Sequence, residues 1–187
     1  LKMDLAWLTR RLPENQPVKE RAASMQALLD STVDSVRTLS TQLRPPILDD
    51  LGLEAAVEWQ TTEFCRQSGI KCELELHIGE RFVENQHATA AFRILQEALV
   101  NVARHAKADN VTVEIGFAGE TLLLSVSDDG CGIADATLSS SHSIGLIGMR
   151  ERAAALGGEV DIRRNPSGGT HVKLELPLGR QYVGDVS

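Results

Sequence analysis

Cysteine, aromatic residues and long apolar runs are all scarce in this chain, and each scarcity narrows what it can be. Its three cysteines are Cys65, Cys72 and Cys131. They lack metal-ligand spacing and suggest no disulfide framework, so a reducing cytosol fits. No run approaches the ~20 apolar residues that span a bilayer, and no secretory signal is present. The expectation is a cytoplasmic fragment without membrane contact of its own, compatible with a membrane-anchored parent. Basic residues are outnumbered, 19 against 26 acidic, for a net charge of −7. That balance argues against a nucleic-acid partner. No glycine-rich run ends in Gly-Lys-Ser or Gly-Lys-Thr, which excludes a Walker-type phosphate loop.

What is present suffices for a core. The chain is 42% hydrophobic over 187 residues, enough for one domain plus an appendage. It opens at Leu1 already in helical pattern, as a piece of a longer protein would. Leu1, Leu5, Leu8 and Leu12 make one helical face, broken across residues 13–17 by Pro13 and Pro17. A longer helix is predicted over residues 18–43. Its seam of Ala22, Met25, Leu29, Thr32, Val36, Leu39 and Leu43 alternates three and four apart, the spacing of helices that pair. Pro45-Pro46 ends it. A further helix is predicted over residues 53–67, with Leu53, Val57 and Phe64 inward and Asp49 and Asp50 favouring its start.

Ile70, Cys72, Leu74, Leu76 and Ile78 then alternate with polar residues, a half-buried strand with His77 on the polar side. The next helix spans residues 88–106. Phe92, Leu95, Leu99, Val102 and Ala106 form its apolar stripe, and Arg93, Glu97, Asn101 and His105 recur four apart on another face. Asn is an indifferent helix former, so Asn101 suggests a task. Residues 111–117 and 122–128 form a hairpin about Gly119-Glu120. Residues 134–144 carry no core pattern and are expected as a loop. A helix follows to Leu156, closed by Gly157-Gly158. Two strands flank the turn at residues 165–169. Alternating rather than wholly apolar strands imply a sheet covered on one face: an α+β, two-layer sandwich of five strands and three helices after a helical hairpin.

Four short segments interrupt this framework in order: Glu97-x-x-x-Asn101 on a helix, Asp128-x-Gly130-x-Gly132 after a strand, Gly145-Leu146-x-Gly148-Met149 entering a helix, and Gly169-Thr170 entering a strand. A carboxylate only accepts hydrogen bonds, so Asp128 suits a donor such as the adenine amine. Gly130 and Gly132 allow close backbone approach. The side-chain carbonyl of Asn101 is a hard oxygen suited to Mg²⁺. The start of the last helix offers free N–H groups to phosphate near Gly145 and Gly148.

The ordered set resembles the ATP-binding domain of the GHKL group: sensor histidine kinases, gyrase-type ATPases, large chaperones and mismatch-repair ATPases. The segments match its N box and its three glycine boxes. The run Leu-Arg-Pro-Pro-Ile-Leu-Asp-Asp-Leu-Gly-Leu at residues 43–53 resembles the junction after the dimerisation hairpin in kinases that serve regulators with helix-turn-helix outputs. Two positions depart from the pattern. Asp129 stands where the family usually has Asn, adding charge near the pocket, and Ser143 where it normally has Gly.

The resemblance implies ATP and Mg²⁺ as cofactors. Asp128 would hold adenine, supported by Thr170, and Asn101 would ligate the metal. Glu97 would support the metal and phosphate region. His105, Gly130, Gly132, Gly145, Leu146, Gly148 and Gly169 would complete the nucleotide site, with Arg104 near phosphate. The implied domains are a partial dimerisation hairpin at 1–46, a catalytic domain at 47–179 and a tail at 180–187. The reaction would be γ-phosphoryl transfer to a histidine and onward to an aspartate of a response-regulator receiver domain, in a homodimer formed through residues 1–43. Histidines stand at 77, 87, 105, 142 and 171, none on the predicted hairpin, so the acceptor is expected upstream of Leu1. Two alternatives are a freestanding GHKL ATPase or anti-sigma-type serine kinase, and a degenerate nucleotide-sensing module.

Overall fold

The computed structural model describes residues 24–25, 46–79, 81–134, 143–166 and 168–179. The chain divides into two units, Leu1–Arg44 and Pro45–Ser187. In the first, Ser24 and Met25 are helical. The rest of the expected hairpin over residues 1–43 lies outside the described residues, as do residues 135–142 of the expected loop, His142, and the tail at 180–187.

The second unit begins with two helices, α1 (Pro46–Asp50) and α2 (Gly52–Ser68). The sequence predicts only the second. Proline suits a first helical turn, where its missing N–H has no intrahelical partner, so Pro46 opens α1. Asp49 and Asp50 precede α2 as expected, but they do so as the end of α1. Gly69, in the left-handed conformation at φ 74°, closes α2 and donates its N–H to Cys65 O. Strand β1 (Lys71–His77) follows. Cys65 at the end of α2 and Cys72 at the start of β1 are joined as a disulfide, Cα to Cα 6.1 Å. This corrects the expectation of no pairing. The reversal at Gly69 brings together two cysteines only seven positions apart.

Helix α3 (Asn85–Asn101) starts three residues earlier than predicted and gives way at Val102–Ala106 to a π-helical turn. Asn101 is therefore the last α-helical residue, not a mid-helix one. Strands β2 (Asn110–Ala118) and β3 (Thr121–Asp128) form the expected hairpin. Helix α4 (Ile144–Ala154) precedes β4 (Glu159–Arg164) and β5 (Thr170–Pro177).

The five strands lie in the order β1-β2-β3-β5-β4. Only β1 and β2 are parallel, joined through α3, and the remaining pairs are antiparallel. One sheet face carries the core. Phe92, Ile94, Leu95 and Leu99 of α3 are fully buried with Val113 and Ile115 of β2, Leu122 and Leu124 of β3, and Leu174 and Leu176 of β5. Burying each such side chain is worth about 1.5–3 kcal/mol. The opposite face shows Glu73, Glu75, Glu114, Asp161 and Arg163 to solvent. This is the two-layer sandwich with one covered face that the alternation predicts. Among the described residues, no helix is long and apolar enough to cross a membrane.

Candidate nucleotide-binding site

The site grows out of the strand alternation. Along β3, Leu122, Leu124, Val126 and Asp128 face the helices. The inward row of apolar residues thus ends in a carboxylate, and Asp128 is only 6% exposed. Its Oδ1 accepts a hydrogen bond from Gly130 N at 2.9 Å. Among the described residues its Oδ2 has no hydrogen-bond partner. Asp128 lines an open cleft, so that oxygen is free to accept a hydrogen bond from a ligand there.

Asp128 opens onto a cleft of about 620 Å³ between the end of α3, the π turn, the ends of β3 and β5, and the start of α4. Of the expected residues, Glu97, Asn101, His105, Asp128, Gly132, Gly145, Leu146 and Thr170 line it, and Arg104 joins them. Thr170 shares the cleft without a hydrogen bond to Asp128. Gly130, Gly148 and Gly169 do not line it; they hold its walls. A Cβ on Gly130 would stand 2.1 Å from Ala106 O, and one on Gly169 would stand 1.8 Å from Asp128 O. The Gly169 backbone is also left-handed, φ 85°. Only glycine fits there. Gly148 backs onto the Arg152 guanidinium.

At the other end of the cleft, Glu97 and Asn101 stand one helical turn apart. A Cβ on Gly145 would come within 2.0 Å of Glu97 Oε1, so the carboxylate lies directly against the first turn of α4. Arg93, the outermost member of the same four-apart series, does not line the cleft. Its Nη1 donates to Gln96 Oε1 at 2.7 Å. Burial, and then the Arg152 charge, push its pKa down from the ordinary arginine value.

The π turn sets the near wall. π-Helical turns are rare and recur at functional sites. Here the turn directs Ala106 O to Cys131 N at 2.7 Å, and His105 O receives the Cys131 thiol at 3.3 Å. The glycine loop after β3 is thereby laid along the end of the helix.

Asp129 departs from expectation. It does not line the cleft. Its Oδ1 accepts from the backbone N–H groups of Asp109 and Asn110, both at 2.9 Å, and its Oδ2 from Asn110 Nδ2 at 2.6 Å. The next residue along an extended chain faces the other way, so the charge that Asp129 adds is spent on a neighbouring loop. The sequence reading missed the apolar floor, formed by Val126, Ile162 and Val172. Val126 precedes Asp128 by two and Val172 follows Thr170 by two, so period two places each on the face of its polar neighbour.

Together, a one-faced mixed sheet, an inward carboxylate at a strand end and an amide at a helix end give the chain the layout of a GHKL-class domain. Residues 86–180 match the family described as "Histidine kinase-, DNA gyrase B-, and HSP90-like ATPase", and the chain belongs to that family. It carries an ATP-binding module of the kind typical of histidine kinases. It is 33% identical over 159 residues to "Oxygen sensor histidine kinase NreB" of Staphylococcus carnosus (strain TM300), covering 85% of this chain and 46% of the relative. The chain thus spans about half the length of that protein. Among solved structures, it resembles the histidine kinase domain of the Erythrobacter litoralis EL346 blue-light activated histidine kinase, with TM-score 0.61 and 22% identity over 96% of each chain. It also resembles the Acinetobacter baumannii histidine kinase AdeS, with TM-score 0.59 and 16% identity over 90% of this chain and 88% of the other. At those identities the likeness is one of fold.

Proposed function

We propose that this chain is the catalytic portion of a sensor histidine kinase. It transfers the γ-phosphoryl group of ATP to a histidine upstream of Leu1, from which it passes to an aspartate of a response-regulator receiver domain. The observation that carries the reading is Asp128, a buried carboxylate with one oxygen engaged by Gly130 N and the other unmatched. The adenine amine is a donor of the right kind for Oδ2. Val126, Ile162 and Val172 supply an apolar bed for the ring, and Thr170 a polar edge.

Phosphates would run toward α4, whose first N–H groups, at Gly145 and Leu146, have no intrahelical acceptors. Asn101 and Glu97 offer hard oxygen donors at that end, and no cluster of three or more His, Cys, Asp or Glu exists among the described residues. Such a sparse set fits Mg²⁺, which keeps waters and binds through substrate phosphates rather than a protein cage. Bound there, the metal would neutralise charge on the transferring phosphoryl group. The protein's share is positioning. Asn101 orients the phosphates, Glu97 holds the polar edge next to Gly145, and His105 and Arg104 flank the open side. The homodimer is proposed through the seam of residues 1–43.

The test pairs binding with transfer. Calorimetry should find ATP and ADP bound, with affinity depending on Mg²⁺. The chain alone, given γ-labelled ATP, should form no stable phosphohistidine. The parent protein, carrying the upstream helix, should do so. Absence of adenine-nucleotide binding would overturn the site. Stoichiometric acid-labile label on His105 or His142 would overturn the upstream acceptor, and acid-stable label on serine would turn the reading to a serine kinase.

A further inference from the structure

Asp128 alone cannot keep its unmatched oxygen pointed into the cleft, because it stands at the end of a strand beside a glycine loop. Something must hold that loop. On one side the π turn does so, through Ala106 O and Cys131 N. On the other side stands the Asp129 carboxylate. Both its oxygens are engaged by the turn that opens β2, and Asp129 N donates to Asn110 O at 3.3 Å. The clasp joins residues 19 and 20 apart in sequence. It grips a turn containing Lys107, which has φ 53°, a conformation that side chains disfavour. The hydrogen bonds from Asn110, first its side-chain amide, hold the Asp129 carboxyl below the usual carboxylate range.

We propose that Asp129 is a positioning residue of the nucleotide site: it touches no ligand, and by clasping Asp109 and Asn110 it fixes Gly130 and the direction of the Asp128 oxygen that receives adenine. This rests on the adenine-nucleotide reading above. A loop left free must be ordered at the moment of binding, and that cost appears as lost affinity. Because Asp129 acts at the adenine end, its effect is indifferent to phosphates and metal.

The experiment measures the affinity of this chain for ATP, ADP and adenosine, with and without Mg²⁺, alongside thermal unfolding. Asp129→Ala should weaken all three ligands by the same factor, roughly tenfold, irrespective of Mg²⁺. The reciprocal exchange, Asp129→Asn with Asn110→Asp, rebuilds the clasp with its partners reversed: the new amide's oxygen accepts the two backbone N–H groups while its nitrogen donates to the new carboxylate. It should restore affinity to within about twofold. If Asp129→Ala lowers thermal stability but leaves affinity unchanged, or weakens ATP alone, the proposal is overturned. It is overturned equally if the exchange folds as the wild type does and still binds weakly. Should Asp129→Ala fail to fold, Asn110→Ala, which removes only the 2.6 Å bond, carries the same comparison: equal weakening of the three ligands supports the proposal, unchanged affinity overturns it. A wild-type chain that binds none of the three refutes the nucleotide reading itself, a distinct result.

Discussion

The two ends of the cleft are made of different material. At the Asp128 end, proposed to hold adenine, backbone meets backbone: Gly169 lies on Asp128 O, Gly130 on Ala106 O, and Cys131 N on Ala106 O. At the Glu97 end, proposed to hold the phosphates, flexible side chains meet a helix start: the Glu97 carboxylate lies against Gly145, and the Arg152 guanidinium against Gly148. Backbone contacts cannot swing aside and side-chain ends can. The Asp128 end should therefore break under small changes that the Glu97 end absorbs.

The sharpest test is Gly169→Ala. The added methyl meets a carbonyl oxygen on a left-handed backbone, so strain of roughly 3 kcal/mol or more is expected. Thermal unfolding should show a large drop, and calorimetry no measurable nucleotide binding. An unaltered midpoint would dissolve the contrast. Next is Asp128→Ala, which removes the acceptor and, with it, the bond from Gly130 N, but adds no clash with the backbone. ATP and ADP should lose about 1–3 kcal/mol of binding equally, whereas Asn101→Ala should weaken only the Mg²⁺-dependent part. Smaller still is Gly145→Ala. The methyl displaces the end of a glutamate, so ATP affinity should fall by about 1 kcal/mol or less, with adenosine unaffected. If Gly145→Ala were as damaging as Gly169→Ala, the two ends would not differ as described.

The smallest effect is electrostatic. Asp129 titrates below its ordinary value in the folded chain. Its contribution to stability is therefore complete above the usual Asp range and is lost as pH falls through the depressed folded value. Denaturant midpoints of the wild type and Asp129→Asn should differ near neutrality and converge in strong acid. A gap that widens on acidification would contradict the assignment.

The sheet and the inward row are legible because period two survives in the sequence: Leu122, Leu124, Val126 and then Asp128 name their face without any coordinates. The stripe from Phe92 to Leu99 likewise declares its helix. The π turn at Val102–Ala106 leaves no such trace, since Val102 and Ala106 are apolar at a spacing that an α-helix also uses. Asp129 escapes correct placement because its partners come from Asp109 and Asn110, and composition does not reveal a contact across that distance in sequence. Helix α1 is hidden when Pro45-Pro46 is read only as a stop, because Pro46 is also a start. Ligand spacing says nothing about Cys65 and Cys72, since what joins them is the chain reversal at Gly69.

The π turn also bears on how this chain can change over time. Its extra residue sets where Ala106 O points, and the loop after β3 is laid on that oxygen. Substitution at exposed positions such as Ala103 would leave the carbonyl in place. Deleting one residue of the turn would take out the residue that the wider turn accommodates, and Ala106 O would no longer point at the loop. Drift in this lineage should therefore be free in letters at the surface of the turn and closed to insertions and deletions within it.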